Sequence, residues 1–257
     1  MKEFIAEAGL LVMLQEQGGK PLLNFGLIVI DMQNGFVSKN GSYDKLGMNI
    51  EEYRKIIPII QELINFCRGK DIPIFYTQAV REPSGIDLLL NDHRVLPRTR
   101  EERLEKIPIC VRGTWDAEII EEIKPMDNDH IIIKRRDSAF QDTELRVWLR
   151  SVRIDTLIFS GVDTSICVET SLRDGFNQGY DVTLVADATA SGIKKHYDTT
   201  LERVRDYYGI VTHLLEFEEI IKILGQISSG QIEYKPPNER ISRFLEKHKL
   251  IDISKAK

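Results

Sequence analysis

Three side chains able to do acid–base and nucleophilic chemistry stand directly at or just past apolar runs. Asp31 follows Leu27–Ile30, Lys134 closes the run from His130, and Cys167 lies five residues past Val162. A thiol needs a base to take its proton and a cation to hold the charge that develops. Thr164 or Ser165 is a natural N-cap, which would put Cys167 in the first turn of a helix, where the dipole and a nearby Lys134 favour thiolate. Asp31 would take the proton. Each residue also has a plainer reading: Cys167 as a small buried hydrophobe, Asp31 as a strand-end cap, Lys134 as a solvated strand end. Only a fold that brings the three together makes them a site. Cys67, on the buried face of a helical pattern, and Cys110, in a loop, keep the plain reading.

The elements that would do this are legible. The expected strands are Leu27–Ile30, Ile72–Gln78, His130–Lys134, Thr156–Val162, Asp181–Ala186 and Val211–Phe217. Between them the apolar spacing predicts helices over Glu51–Arg68 (with a start or kink at Pro58), Thr114–Ile123, Glu144–Ser151, Ser165–Gln178 and Asp198–Tyr208, with a last one over Glu218–Ile227. Alternating strands and helices imply βαβ crossovers. Strands that are nearly all apolar imply a sheet covered on both faces. The expected fold is therefore α/β, a three-layer α/β/α domain with a mostly parallel six-stranded sheet over residues 25–226. Residues 1–24 form an extension, and residues 227–257 a tail for packing or oligomer contacts. In such sheets ligands sit beyond the carboxyl ends of the strands, which is where Asp31, Lys134 and Cys167 fall.

Composition narrows the function class. Of 257 residues 42% are hydrophobic and 29% charged, a globular balance. The net charge of −5 gives no reason to expect a nucleic-acid partner; Arg98, Arg100 and Arg103 read as a solvated face. No apolar run is long enough to cross a bilayer. The stretch Leu10–Leu14 is interrupted upstream by Glu3 and Glu7, unlike a signal peptide. Three cysteines without paired spacing argue for a reducing cytoplasm and against a disulfide framework. The absence of CxxC and HExxH argues against a metal.

The stretches Val29-Ile30-Asp31-Met32-Gln33-Asn34-Gly35-Phe36, Lys134 before Ser138-Ala139-Phe140, and Gly161-Val162-Asp163-Thr164-Ser165-Ile166-Cys167-Val168 resemble the isochorismatase-like cysteine hydrolases over residues 25–217. Gly41-Ser42-Tyr43, Arg112–Asp116 and Glu169–Phe176 make the chain most similar to the ureidoacrylate amidohydrolase, biuret hydrolase and N-carbamoylsarcosine amidase branch. The resemblance implies a triad of Asp31, Lys134 and Cys167. It also implies a non-proline cis peptide between Val162 and Asp163, and an oxyanion hole from the N–H groups of Asp163 and Cys167. An Asp at position 163 departs from the small or hydroxyl residue usual there. Its carboxylate either points away or contacts a polar substrate.

The implied activity is hydrolysis of a C–N bond in a small linear amide or ureido (carbamoyl) compound through a thioester, with no cofactor. The Asp-x-His metal site of nicotinamidases is absent after the second strand, so no metal is expected. Asn34 and Gln78 are candidate substrate contacts, each equally readable as a structural hydrogen bond. Arg81, Arg94, Arg98 or Arg136 would meet a substrate carboxylate, and Trp115 walls the pocket or packs in the core. Two rival readings stay open: a nicotinamidase- or maleamate-type amidase, and a non-catalytic binding or redox-sensing protein that uses Cys167. The family resemblance implies a homodimer or homotetramer.

Overall fold

The computed structural model describes residues 24–97, 100–101 and 107–228. Residues 24–218 form one compact unit. Its six strands are β1 (Phe25–Ile30), β2 (Ile74–Ala79), β3 (His130–Lys134), β4 (Thr156–Val162), β5 (Asp181–Ala190) and β6 (Ile210–Thr212). They pair in the order β3-β2-β1-β4-β5-β6, all parallel. The order reverses between β1 and β4. That is the switch point at which a parallel sheet opens a crevice past its carboxyl edge.

The main helices are α1 (Ile57–Arg68), α2 (Leu145–Ser151), α3 (Glu169–Asn177), α4 (Lys194–Tyr207) and α5, which runs from Leu214 to Ser228. β4 is buried at every residue, and β1 at all but Phe25. This explains their unbroken apolar runs: each side chain meets a helix, whichever face it points to. β3 lies at the edge and alternates, with Ile131 exposed and Ile132 and Lys134 buried. On one face Ile28, Phe159, Leu157, Leu172 and Val204 share a single core cluster. Closure between β1 and β4 requires a glycine. A Cβ on Gly161 (φ +104°) would lie 2.1 Å from the Ile30 carbonyl oxygen, a contact no side chain can make.

Local departures from the sequence reading have physical causes. The helix expected over Glu51–Arg68 is broken at Ile56. A short helix, Glu51–Lys55, precedes α1, whose first turn holds Pro58, where a missing N–H costs nothing. No continuous helix covers Thr114–Ile123. Two 3₁₀ turns, Trp115–Ala117 and Glu121–Ile123, flank an extended stretch whose backbone groups are taken by residues 32–34. Asn34 N donates to the Glu118 carbonyl at 2.9 Å and Ile120 N to that of Met32 at 3.0 Å, so the i−4 ladder has no partners left. β6 stops at Thr212, because the Asp187 carboxylate accepts the Leu214 N–H at 3.0 Å and turns the chain into α5.

Candidate active site

Asp31 follows β1, Lys134 is the last residue of β3, and Cys167 follows β4, so the sheet delivers all three to its carboxyl edge. Lys134 Nζ lies 2.7 Å from Asp31 Oδ2, with both side chains buried. The other two ammonium hydrogens go to the carbonyls of Arg136 (3.1 Å) and Asp137 (3.0 Å). Every donor of Lys134 is thereby used, and this is what makes a fully buried cation tolerable. Asp31 is fixed from the other side: the Thr77 hydroxyl donates to Oδ1 at 2.6 Å and accepts the Asp31 N–H at 3.1 Å. Asp31 adopts φ +50°, a left-handed backbone that carries strain for a non-glycine residue and clusters at functional sites. Asp31 and Lys134 are the nearby charged groups that act on the Cys167 thiol.

Cys167 does not occupy the first turn of an α-helix. It lies in a π-helical turn, Thr164–Val168, that runs into α3, and the cap is the Asp163 carboxylate rather than Thr164 or Ser165. π turns inside helices are rare and frequent at functional sites. The expected ready-made thiolate also gives way. Burial pushes the Cys167 thiol well above its ordinary pKa; Lys134 opposes this, but Asp31 and Asp137 add to it. Lys134 is pulled down by burial, yet Asp31, Cys167 and Asp137 together raise it. Burial and the carboxylates thus favour the protonated thiol beside the Asp31–Lys134 pair. Such a set moves the thiol proton only as sulfur attacks.

The peptide between Val162 and Asp163 is cis. The N–H of Asp163, just past β4, donates to no described residue. The Asp163 carboxylate is turned to Tyr53, Ser165, Ser191 and Gly192.

A cavity of about 880 Å³ opens over these residues. Asp31, Lys134 and Cys167 line it together with Phe36, Tyr43, Leu88, Leu89, Ile109 and Ile166. Asn34 and Gln78 do not line it. The amide of Asn34 donates to the Trp115 carbonyl (3.0 Å), and that of Gln78 to the Ala117 carbonyl (2.9 Å). Both hold the 3₁₀ turn Trp115–Ala117 against the strand ends. Trp115 is half exposed and is not a cavity residue either.

Of the arginines, Arg81 and Arg136 line the cavity, Arg94 does not, and Arg98 lies outside the described residues. Arg81 donates to the Arg135 carbonyl at 2.8 Å and meets no carboxylate among the described residues. Sequence reasoning missed Arg100, whose guanidinium grips Asp137 at 2.5 Å over the site and is raised by that hydrogen bond. It also missed Thr77, although Thr77 stands at the end of β2 beside Asp31. Cys110, read as a plain loop residue, is buried against Asp116 and lines the cavity. Among the described residues no cluster of His, Cys, Asp or Glu could hold a metal ion, and no helix is long and apolar enough to cross a membrane.

The same layout recurs in known proteins. The family profile for the Isochorismatase domain matches residues 25–215. The ureidoacrylate amidohydrolase RutB of Serratia proteamaculans is 32% identical over 200 residues, covering 74% of this chain and 80% of that protein. RutB of Yersinia enterocolitica is 31% identical over 211 residues, covering 79% and 92%. Among solved structures, a cysteine hydrolase from Pseudomonas syringae pv. phaseolicola superposes with a TM-score of 0.68 at 26% identity, covering 78% of this chain and 93% of that one. By its sequence, its strand order and the matched span, the chain belongs to the isochorismatase family.

Proposed function

We propose that the protein is a cysteine amidohydrolase that cleaves a C–N bond of a small linear amide or ureido compound through a thioester on Cys167. The observation that carries this is the buried Lys134–Asp31 ion pair, which lines one cavity with Cys167 at the switch point of the sheet. The ureidoacrylate amidohydrolases among its relatives favour the ureido class.

In the first half-reaction Asp31 accepts the thiol proton while sulfur bonds to the carbonyl carbon. The π pair moves to oxygen, held by the N–H groups of Asp163 and Cys167. The tetrahedral centre collapses, the C–N bond breaks, and Asp31 hands its proton to the departing nitrogen. In the second half-reaction Asp31 takes a proton from water, the oxygen bonds to carbon, the S–C bond breaks, and the proton returns to sulfur. Lys134 holds the Asp31 carboxylate in place through both half-reactions. No step draws on a metal or cofactor.

Arg81 is the guanidinium with capacity left for a substrate carboxylate, since it is held by backbone carbonyls alone among the described residues. The cavity is several times larger than a compound of about ten heavy atoms needs, and its far wall is aliphatic. Substrates longer than ureidoacrylate therefore fit. Residues 25–226 act as the catalytic domain of a cytoplasmic homodimer or homotetramer; the flanking extension and tail, up to residue 23 and from residue 229, lie outside the described residues.

Ammonia release tests the assignment, using ureidoacrylate, N-carbamoylsarcosine, biuret and nicotinamide at equal concentration. Turnover should be greatest with a ureido compound and absent in Cys167→Ala. Release from nicotinamide alone would transfer the protein to the nicotinamidase reading. No turnover, with only reversible oxidation of Cys167, would favour the redox-sensing one.

A further inference from the structure

We infer that the Asp163 side chain is a positioning residue, clamping from three sides the peptide whose N–H receives the substrate oxygen. Oδ1 accepts from Ser165 N (2.8 Å), Ser165 Oγ (2.7 Å) and Ser191 Oγ (2.8 Å). Oδ2 accepts from Tyr53 OH (2.8 Å) and Gly192 N (3.2 Å), with Ser191 Oγ also 3.0 Å away. Two backbone N–H groups and three hydroxyls thus converge on one carboxylate, which has about four acceptor sites.

The donors come from separate parts of the chain. Ser165 belongs to the turn that carries Cys167. Ser191 and Gly192 lie between β5 and α4, and Tyr53 is in the short helix Glu51–Lys55. Tyr53 is 1% exposed and so has no water to turn to. A carboxylate this occupied has nothing left for substrate, although Asp163 borders the cavity. That leaves its own backbone as the part that acts on the reaction. An oxyanion donor works only if it is already in place when charge develops on the oxygen, and the clamp supplies that rigidity. A small residue at 163 would leave the peptide held by β4 and by the Ile166 and Val168 N–H groups on the residue-163 carbonyl, and would remove the acceptor of the buried Tyr53 hydroxyl.

The inference rests on the covalent reading of Cys167, and the test separates the two. Iodoacetamide alkylates a thiol without using an oxyanion hole. Butanal adds to it reversibly: the S–C bond forms as the C=O π bond breaks, the π pair moves to the oxygen in the hole, and the thiol proton passes to Asp31. Protection of Cys167 by butanal against iodoacetamide, followed by peptide mass mapping, therefore reports on the hole without knowledge of the substrate. In wild type butanal should protect. In Asp163→Ala the protection constant should weaken about tenfold, while alkylation without butanal changes less than about threefold. Tyr53→Phe and Ser191→Ala, each removing one donor, should weaken protection by smaller factors, and they carry the test if Asp163→Ala does not fold. Equal protection in all four proteins, or protection and alkylation falling in parallel, would overturn the positioning role. Absence of protection in wild type would overturn the covalent reading itself, and this inference with it.

Discussion

The ammonium of Lys134 and the carboxylate of Asp31 form a buried ion pair at 2.7 Å, and both groups act on the Cys167 thiol. The pair fixes the Asp31 carboxylate beside Cys167, where it can serve as the base. Asp31→Asn keeps the shape but removes the base. Turnover should fall by about 10²- to 10⁴-fold. The variant should also lose about 3 kcal/mol of stability, because a buried ammonium is left without its partner. Steady-state ammonia release and urea unfolding check the two effects. Near-normal turnover would show that another group takes the proton.

The protonation of the resting thiol yields a second prediction. Burial, together with the Asp31 and Asp137 carboxylates, raises the Cys167 thiol. Thiolate is the reactive form, so alkylation in the free protein should climb steadily between pH 6 and 9 with no plateau. A plateau at neutral pH would mean that Lys134 has already created a thiolate. Because Asp31 is one cause of the upward shift, Asp31→Asn should alkylate faster at pH 8 while failing to turn over substrate.

The parts of this site that were legible in the sequence are those fixed by strand periodicity. Asp31, Lys134 and Cys167 each end or follow a buried strand, and a parallel sheet places strand ends together whatever the loops do. Asn34 and Gln78 stand at equally suggestive positions, yet both amides are used on carbonyls of the 3₁₀ turn Trp115–Ala117. The stretch just after that 3₁₀ turn, residues 118–120, is extended because of its tertiary partners Met32 and Asn34, and no local propensity records such partners. The neutral thiol was hidden for a related reason. Burial is a property of the assembled core and overrides the favourable helix-start chemistry that can be read locally. Arg100 reaches Asp137 across 37 residues, a distance over which sequence spacing carries no signal.

Arg81 supplies a third prediction. If its guanidinium meets the carboxylate of an anionic ureido substrate, Arg81→Met should raise KM about tenfold or more and leave kcat within a few-fold, as for a lost charge-assisted bidentate contact. With a neutral amide of similar size the same variant should be almost silent. Initial-rate kinetics with both substrates distinguish this from general damage, which would depress the two alike.

Glu169 bears on stability rather than chemistry. Its carboxylate is buried against Arg203 and Thr200 on α4 and pairs with Arg173 at 2.7 Å. Burial opposes ionisation, but the hydrogen bonds from Arg203 and Thr200 and the charges of Arg203 and Arg173 outweigh it and lower the carboxyl. A carboxyl lowered on folding stabilises the fold above its unfolded value, near pH 4.5, and that contribution fades as pH drops through the lower folded value. Glu169→Gln should cost about 1–2 kcal/mol at pH 7, the arginines being partly solvated. The gap between wild type and variant should close under strong acid. A gap independent of pH in chemical unfolding would assign the loss to packing instead.

The most direct test of the account is the mass of the protein caught during turnover. Acid quenching within milliseconds of mixing with the best ureido or amide substrate should show one added acyl or carbamoyl group. Peptide mapping should place it on Cys167, and Cys167→Ser should bind the substrate and release almost no ammonia. Ammonia release that persists in Cys167→Ser, or a quenched protein that turns over without any adduct on Cys167, would contradict covalent catalysis at this site.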